Sequence, residues 1–563
     1  MSAPVLASGE QPVSAGNGQG GHSPAFPPRL LTDLLDRAMR VYGDRIAIDF
    51  LGRRWTYSEL GALVERAARG LQDIGVKPGD RVGLCLPNTH YYVVLYFATL
   101  RVGGIVVNLN PLYVERELTH LLKDSGTSVL VTCDITPIHT KVAKVATECG
   151  VRRLVVCSIG DALPALKSIG YKLFKRKDIA QVANDAMQLD FRTLIASRAP
   201  RTPVPLDPDD VAVLQYTGGT TGEPKAAMLT HANLAVSSAQ MIEFIGHVPE
   251  QQERTMGVLP LFHVFALTTV LNYSVDTGAE MVLLPRFELK QMIDTIQRTR
   301  CTQLFAVPTI YGALNGLPDK DLAKLKSLKF SISGGAPLPF DVRQRFEART
   351  GARVVEGYGL SEASPIITCN PVEGSIKANS AGVRFPGTVI EIRDLDDPHK
   401  ILPVGERGEI CARGPQVMKG YWNRPDATEA VFADGALRTG DVGYLDEDGY
   451  LFIVDRMKDM ILAGGYNVYP RNIEEALYEH PSVAEAVVIG VPDKYRGQAP
   501  KAFVTLFPGT TATPEELRHF LEDKLSKIEL PREVEIRAEL PKTLIGKLSK
   551  KELIAEELAK ANG

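Results

Sequence analysis

The chain has 563 residues, 44% of them hydrophobic and 23% charged, with a formal net charge of −3. That is the balance of a soluble globular protein long enough for several domains, and it gives no reason to expect nucleic acid as a partner. Seven cysteines (Cys85, Cys133, Cys149, Cys157, Cys301, Cys369 and Cys411) form no C-x-x-C pair, and their odd number argues against a disulfide framework, so a reducing cytoplasm is the expected setting.

Residues 1–27, rich in Gly, Ser, Ala and Pro, lack the basic start and apolar run of a secretory signal and read as a disordered tail. From Leu30 to Cys157, β-type runs alternate with helical ones: RVGLCLP, HYYVVLYFATLRVG, GIVVNLN, then VERELTHLLKDSG ending at Gly126. Such alternation predicts an α/β fold with parallel sheet. The most membrane-like stretch, from Tyr91, is interrupted by Arg101 and Gly103-Gly104, so it is expected to be a buried helix, a turn and a strand.

The segment from Asp161 to Asp178 breaks the rhythm. Leu166, Ile169, Leu173 and Phe174 stand among Lys167, Lys172, Lys175, Arg176 and Lys177, and Pro164 and Gly170 limit its helix. It reads either as a surface helix docked on its own domain or as one that lies on an anionic membrane. After Pro208 the alternation resumes through VAVLQYT, a helix after His231, EMVLLP, TQLFAVP and LKFSISGG. Beyond GYLFIVDRMKDMILAGGYNVYP the chain becomes a small α+β unit, one helix of which starts at the capping box Thr513-Pro514-Glu515-Glu516. The expected division is a body over 28–455 and a C-terminal lid over 456–563.

YTGGTTGEPKAAMLTH, Tyr216 to His231, follows a strand end, where α/β proteins place ligands. Gly218, Gly219 and Gly222 allow backbone N–H groups close to oxyanions; Thr217, Thr220 and Thr221 add hydroxyls and Lys225 a charge. A tight turn between two strands would also use such glycines. No helix follows Lys225 directly, so the loop is expected to flex over a polyphosphate, unlike a Walker loop.

This stretch resembles the phosphate loop of the adenylate-forming superfamily. LPLFHVFAL (Leu259–Leu267), SGGAPLP (Ser333–Pro339), EGYGLSEASP (Glu356–Pro365), RTGD (Arg438–Asp441), VDRMKDMI (Val454–Ile461), GGYNVYPRNIEE (Gly464–Glu475) and LPKTLIGKLSKKEL (Leu540–Leu553) match further motifs of that family, in its order. The resemblance implies a large α/β N-terminal domain with a β-rich part and a small mobile C-terminal domain. It implies two steps: a carboxylate displaces pyrophosphate from ATP to give an acyl-adenylate, and a thiol then displaces AMP.

Carried over, Thr217, Gly218, Gly219, Thr220, Thr221, Gly222 and Lys225 would hold phosphates. Gly334, Gly335 and Ala336 with Gly357, Tyr358 and Gly359 would frame adenine, beside Ser361. Asp441 and Arg456 would face the ribose, Glu362 a Mg²⁺ ion, and His263 the mouth of the acyl site. Lys547 would bridge carboxylate and α-phosphate. Lys458 would be the hinge, with Gly464, Gly465 and Tyr466 lining a thiol tunnel. Taken singly, Asp441 reads as a turn cap, Glu362 as a surface charge, His263 as core, and Lys547, among Lys542, Lys550 and Lys551, as a solvated face. Ser361 replaces the family's usual Thr, which keeps the hydroxyl, and 378–382 and Ile528-Glu529 also depart from the family pattern.

NLNPLYVERELTHLLKDSG, Asn108 to Gly126, resembles the bacterial long-chain fatty-acid–CoA ligases, so the expected substrates are a fatty acid, ATP and CoA. A medium-chain or aryl acid ligase would share the catalytic motifs. A peptide-synthetase module would normally be followed by a carrier domain, and a non-enzymatic lipid-binding protein would not need Lys225, Glu362, Asp441 and Lys547 together. A cytoplasmic enzyme touching the inner face of the membrane through 161–178 is the expected setting, and a homodimer is one assembly left open.

Overall fold

The computed structural model describes residues 26–183, 185–217, 224–247, 250–463, 466–493, 495–543 and 547–562. Almost all of the tail expected to be disordered lies outside them.

Two large sheets carry the body. In one, seven strands run in the order Gln188–Asp190, Arg153–Cys157, Val129–Cys133, Arg81–Leu84, Ile105–Asn108, Val211–Thr217, Lys225–Thr230, all parallel except the last pair. The other has nine strands, with a parallel centre that includes Arg254–Gly257, Gln303–Ala306, Phe330–Gly334 and Arg353–Gly359. Val- and Ile-rich runs such as VLVTC and FSISG are buried along their whole length, as strands covered on both faces must be.

One core cluster joins side chains of both sheets to those of the helices Tyr57–Asp73 and His90–Arg101 and of residues 264–277. The helix His90–Arg101 shows why. All twelve of its residues are buried, so it has no wet face, and its terminal Arg101 is ion-paired with Asp36 and Glu65. The expected helix, turn and strand are all present, the turn leading into Ile105–Asn108. The helix Glu115–Ser125 stops at Gly126, whose φ of +62° is the left-handed cap that glycine adopts without a Cβ clash.

The amphipathic segment is a ten-residue helix, Ala165–Phe174, begun after Pro164. Lys167 Nζ donates to the Leu51 carbonyl at 2.8 Å and Lys172 pairs with Asp161 at 2.6 Å. It buries no residue fully, and Leu166, Ile169, Leu173 and Phe174 are 86, 64, 71 and 84% exposed. Among the described residues no helix is long and apolar enough to cross a membrane.

Two smaller sheets complete the molecule. The strands Val389–Arg393, Gly408–Arg413, Ala436–Leu445 and Leu451–Arg456 pair antiparallel with their neighbours, and Val483–Asp493 pairs antiparallel with Gly497–Leu506 in the last sheet. Between Arg456 and Ile461 the chain leaves one of these sheets for the other. The helix Pro514–Glu522 opens on the expected box: Thr513 Oγ1 accepts from Glu516 N at 3.1 Å and Glu516 Oε2 from Thr513 N at 2.8 Å.

Candidate active site

The parallel strands Phe330–Gly334 and Arg353–Gly359 lie side by side with Gly334 opposite Gly357, so their carboxyl ends open at one edge. Gly335, at φ +84°, follows immediately; a Cβ there would lie 2.6 Å from Lys547 Cε. The lysine stem therefore packs against bare backbone, beside half-buried Ala336. Lys547 is held at its base by a turn in which its carbonyl accepts from Thr543 N at 2.6 Å and its N–H donates to Thr543 Oγ1 at 3.1 Å.

Tyr358 donates its hydroxyl to Asp441 Oδ2 at 2.6 Å. Asp441 is 8% exposed and sits opposite Arg456 across an antiparallel pair, with Arg456 Nε 3.4 Å from Oδ1. Both carboxylate oxygens of Asp441 thus have a protein partner. Gly359 ends the Tyr358 strand, and Ser361 opens the short turn Ser361–Ala363 that contains Glu362.

Thr217 and Lys225 face each other at the end of a hairpin, Thr217 Oγ1 donating to the Lys225 carbonyl at 3.3 Å. Strand Lys225–Thr230 separates them from the helix His231–Ile245, as expected. Gly218, Gly219, Thr220, Thr221 and Gly222 lie outside the described residues, as do Gly464 and Gly465. Tyr466, beside the latter pair, is 65% exposed, and Lys458 is exposed in the segment between the two small sheets.

His263 is half-buried and caps the turn Val264–Ala266, its Nδ1 accepting from Phe265 N at 3.3 Å, which leaves the proton on Nε2. Two buried amides that sequence reasoning missed suspend its loop. Asn88 Nδ2 donates to the Gly257 and Leu259 carbonyls at 3.2 and 2.7 Å while Oδ1 accepts from Leu261 N at 2.8 Å. Gln215 Nε2 donates to the Phe262 carbonyl at 3.2 Å. Tyr421 was missed too. Its hydroxyl donates to Glu362 Oε1 at 2.8 Å and its ring centroid lies 5.4 Å from Lys225 Nζ. An aromatic in GYWNR, the stretch containing Tyr421, gives no local sign of such partners.

A family model described as "AMP-binding enzyme" matches residues 35–422, and one described as "AMP-binding enzyme C-terminal domain" matches 472–547. The chain belongs to the AMP-binding enzyme family. It is 42% identical to the long-chain-fatty-acid–CoA ligase of Bacillus subtilis over 95% of this chain and 96% of that one. It is also 36% identical to a feruloyl-CoA synthase of an Amycolatopsis species, over 92% of this chain and 97% of that one. Among solved structures, ATP-bound MatB from Rhodopseudomonas palustris superposes with a TM-score of 0.81 at 31% identity, over 93% of this chain and 98% of that one.

In this AMP-binding enzyme, burial and the neighbouring Arg456 lower the Lys547 ammonium to about 8. Burial, with Lys547 nearby, lowers His263 to about 3, so its imidazole is neutral. Burial raises the Asp441 carboxyl against the pull of Arg456, and it raises the Tyr358 phenol. Near neutral pH the pocket therefore presents a half-buried cation without an ion pair among the described residues, beside a neutral imidazole and a neutral phenol. That is an anion-accepting arrangement.

For a metal the donor set is sparse: among the described residues no group of three or more His, Cys, Asp or Glu is placed to hold a metal ion. Glu362 nevertheless has Oε2 free of protein partners there. One carboxylate oxygen suits Mg²⁺, which keeps its waters and takes its other ligands from phosphate.

Proposed function

We propose that this AMP-forming acid–CoA ligase acts on long-chain fatty acids. The observation that carries the adenylation chemistry is Lys547, a cation from the C-terminal segment, lying against Gly335 at the end of the strand next to the one that bears Tyr358. In the proposed reaction a carboxylate oxygen bonds to the α-phosphorus of ATP as the bond to pyrophosphate breaks. The CoA sulfur then bonds to the acyl carbon and AMP leaves with the electron pair of the anhydride bond.

The chain's own groups would work by positioning and charge compensation. Lys547 would neutralise the approaching carboxylate and the α-phosphate. Asp441 would accept from the ribose hydroxyls, with Arg456 holding its second oxygen, while Tyr358 and the glycine-lined edge at 334–336 and 357–359 would enclose the base. Thr217, Gly218, Gly219, Thr220, Thr221, Gly222 and Lys225 would hold the β- and γ-phosphates, and neutral His263 would border the acyl group. Glu362 would hold Mg²⁺, which when bound supplies charge neutralisation of the phosphates. For the second step the domain from 456 onward would turn about Lys458. That would withdraw Lys547 and bring Gly464, Gly465 and Tyr466 towards the thiol.

The long-chain preference rests on the segment Asn108–Gly126 and on the names of relatives at 35–42% identity. The feruloyl-CoA synthase among them favours a second reading, an aryl or medium-chain acid. Pyrophosphate release measured against long-chain, medium-chain and aryl acids, with and without CoA, decides between the two. AMP as product with long-chain acids preferred is the expected result. ADP, or preference for an aryl acid, would sink the respective part. The exposed apolar side chains of Ala165–Phe174, flanked by lysines, support peripheral contact with an anionic membrane.

A further inference from the structure

We propose that Tyr421 is a positioning residue that keeps Glu362 and Lys225 apart and aimed at one polyphosphate. The proposal rests on the reading of Glu362 as the magnesium carboxylate and Lys225 as a phosphate ligand. A carboxylate and an ammonium that both contact one tyrosine would otherwise be free to pair with each other, and that pair would have to break before either met its ligand. Tyr421 offers each a neutral partner instead. Its hydroxyl gives its single proton to Glu362 Oε1 at 2.8 Å, which leaves Oε2 for the cation, and the face of its ring attracts Lys225 Nζ at 5.4 Å.

The tyrosine itself has little freedom. Its stretch is zipped onto the Lys225 strand: Lys419 N donates to the Met228 carbonyl at 3.0 Å, Met228 N to Gly420 at 2.9 Å and Trp422 N to Ala226 at 2.9 Å. Tyr421 N donates to Thr428 Oγ1 at 2.8 Å, and the side chain is 8% exposed with its residue. Glu362 is tied to the same stretch through its carbonyl, which accepts from Met418 N at 2.7 Å. The strand that starts at the phosphate loop and the turn that carries the carboxylate are therefore locked together through residues 418–422.

The test uses the full-length protein with a non-hydrolysable ATP analogue and Mn²⁺, whose binding is read by electron paramagnetic resonance independently of turnover. Tyr421→Phe keeps the ring and loses the hydroxyl; it is expected to weaken Mn²⁺ binding about fivefold or more, as the loss of a bond to a charged group implies. KM for ATP should rise while KM for the acid and for CoA stays put. Tyr421→Leu, which also removes the ring, should raise KM for ATP further. Glu362→Gln separates the proposal from its foundation. Weakened binding in Glu362→Gln with wild-type binding in Tyr421→Phe overturns the role of Tyr421 and leaves the carboxylate reading intact. Wild-type binding in Glu362→Gln removes the carboxylate reading, and this proposal with it. A fall in kcat alone, with Mn²⁺ binding unchanged, would mark Tyr421 as merely structural and also overturn the proposal.

Discussion

At one end of the site Asp441 binds both Tyr358 and Arg456, whereas Lys547 meets its surroundings by packing against Gly335. In the first group, Tyr358 on a strand of the nine-stranded sheet reaches Asp441 and Arg456, which face each other on paired strands of the small antiparallel sheet. The second is carried in by a segment that follows the change of sheet after Arg456. Under the proposed mechanism the difference sets a nucleotide site held together by its own hydrogen bond and ion pair against a charge that serves one step only.

Lys547→Ala should break the comparison most severely. Acyl-AMP formation, followed as pyrophosphate release, is expected to fall at least ~10³-fold, while thioester formation from supplied acyl-AMP changes by less than about threefold. Equal loss in both steps would show that the lysine is not confined to one of them. Asp441→Ala should do the opposite and impair both steps, lowering kcat/KM for ATP about 10- to 100-fold, since it removes charge-assisted bonds and strands the Tyr358 hydroxyl. Wild-type ATP dependence in that variant would exclude the ribose role.

Gly335→Ala sharpens the contrast. Its Cβ would meet Lys547 Cε at 2.6 Å, on a backbone at φ +84°. Displacing the lysine should lower adenylation about tenfold or more and spare thioesterification. A pH profile gives a milder perturbation of the same group. The folded-state pKa of Lys547 is lowered from 10.5 to about 8, so the ammonium is present below that pH and is lost above it. Hence kcat/KM for ATP in the adenylation step should be flat up to about pH 8 and then decline, with the break in kcat displaced upward because bound anionic ATP favours the cation. No break below pH 9 would contradict the assignment.

The smallest effect is expected far from both ends. Leu166→Asp with Phe174→Asp, in a helix with no fully buried residue, should leave turnover of a water-soluble acid within about twofold, since surface changes seldom propagate. The same pair should abolish sedimentation with vesicles rich in anionic lipid. Retained sedimentation would end the membrane proposal.

Much of this was legible in the order of residues. Alternating runs gave the parallel sheets, Thr513 and Glu516 marked a helix start, and Gly126 marked an end, because each depends on neighbours a few positions away. Motif resemblance singled out Lys547 from three nearby lysines. It did not lead to Tyr421, Asn88 or Gln215, whose partners lie 59, 169 to 173 and 47 positions off in the chain.

Two apolar helices mark where local information stops. HYYVVLYFATLR and ALKSIGYKLF both carry large hydrophobic side chains, yet the first is wholly buried and the second buries none completely. The sequence by itself determined that each is a helix, through backbone propensity and the proline or glycine at its limits. It also pointed to the first as buried and the second as a surface helix, and only the tertiary structure decided what encloses the one and what the other rests on. Burial belongs to whatever packs alongside, and two sheets enclose the first helix while the second rests on the body through Lys167 and Lys172.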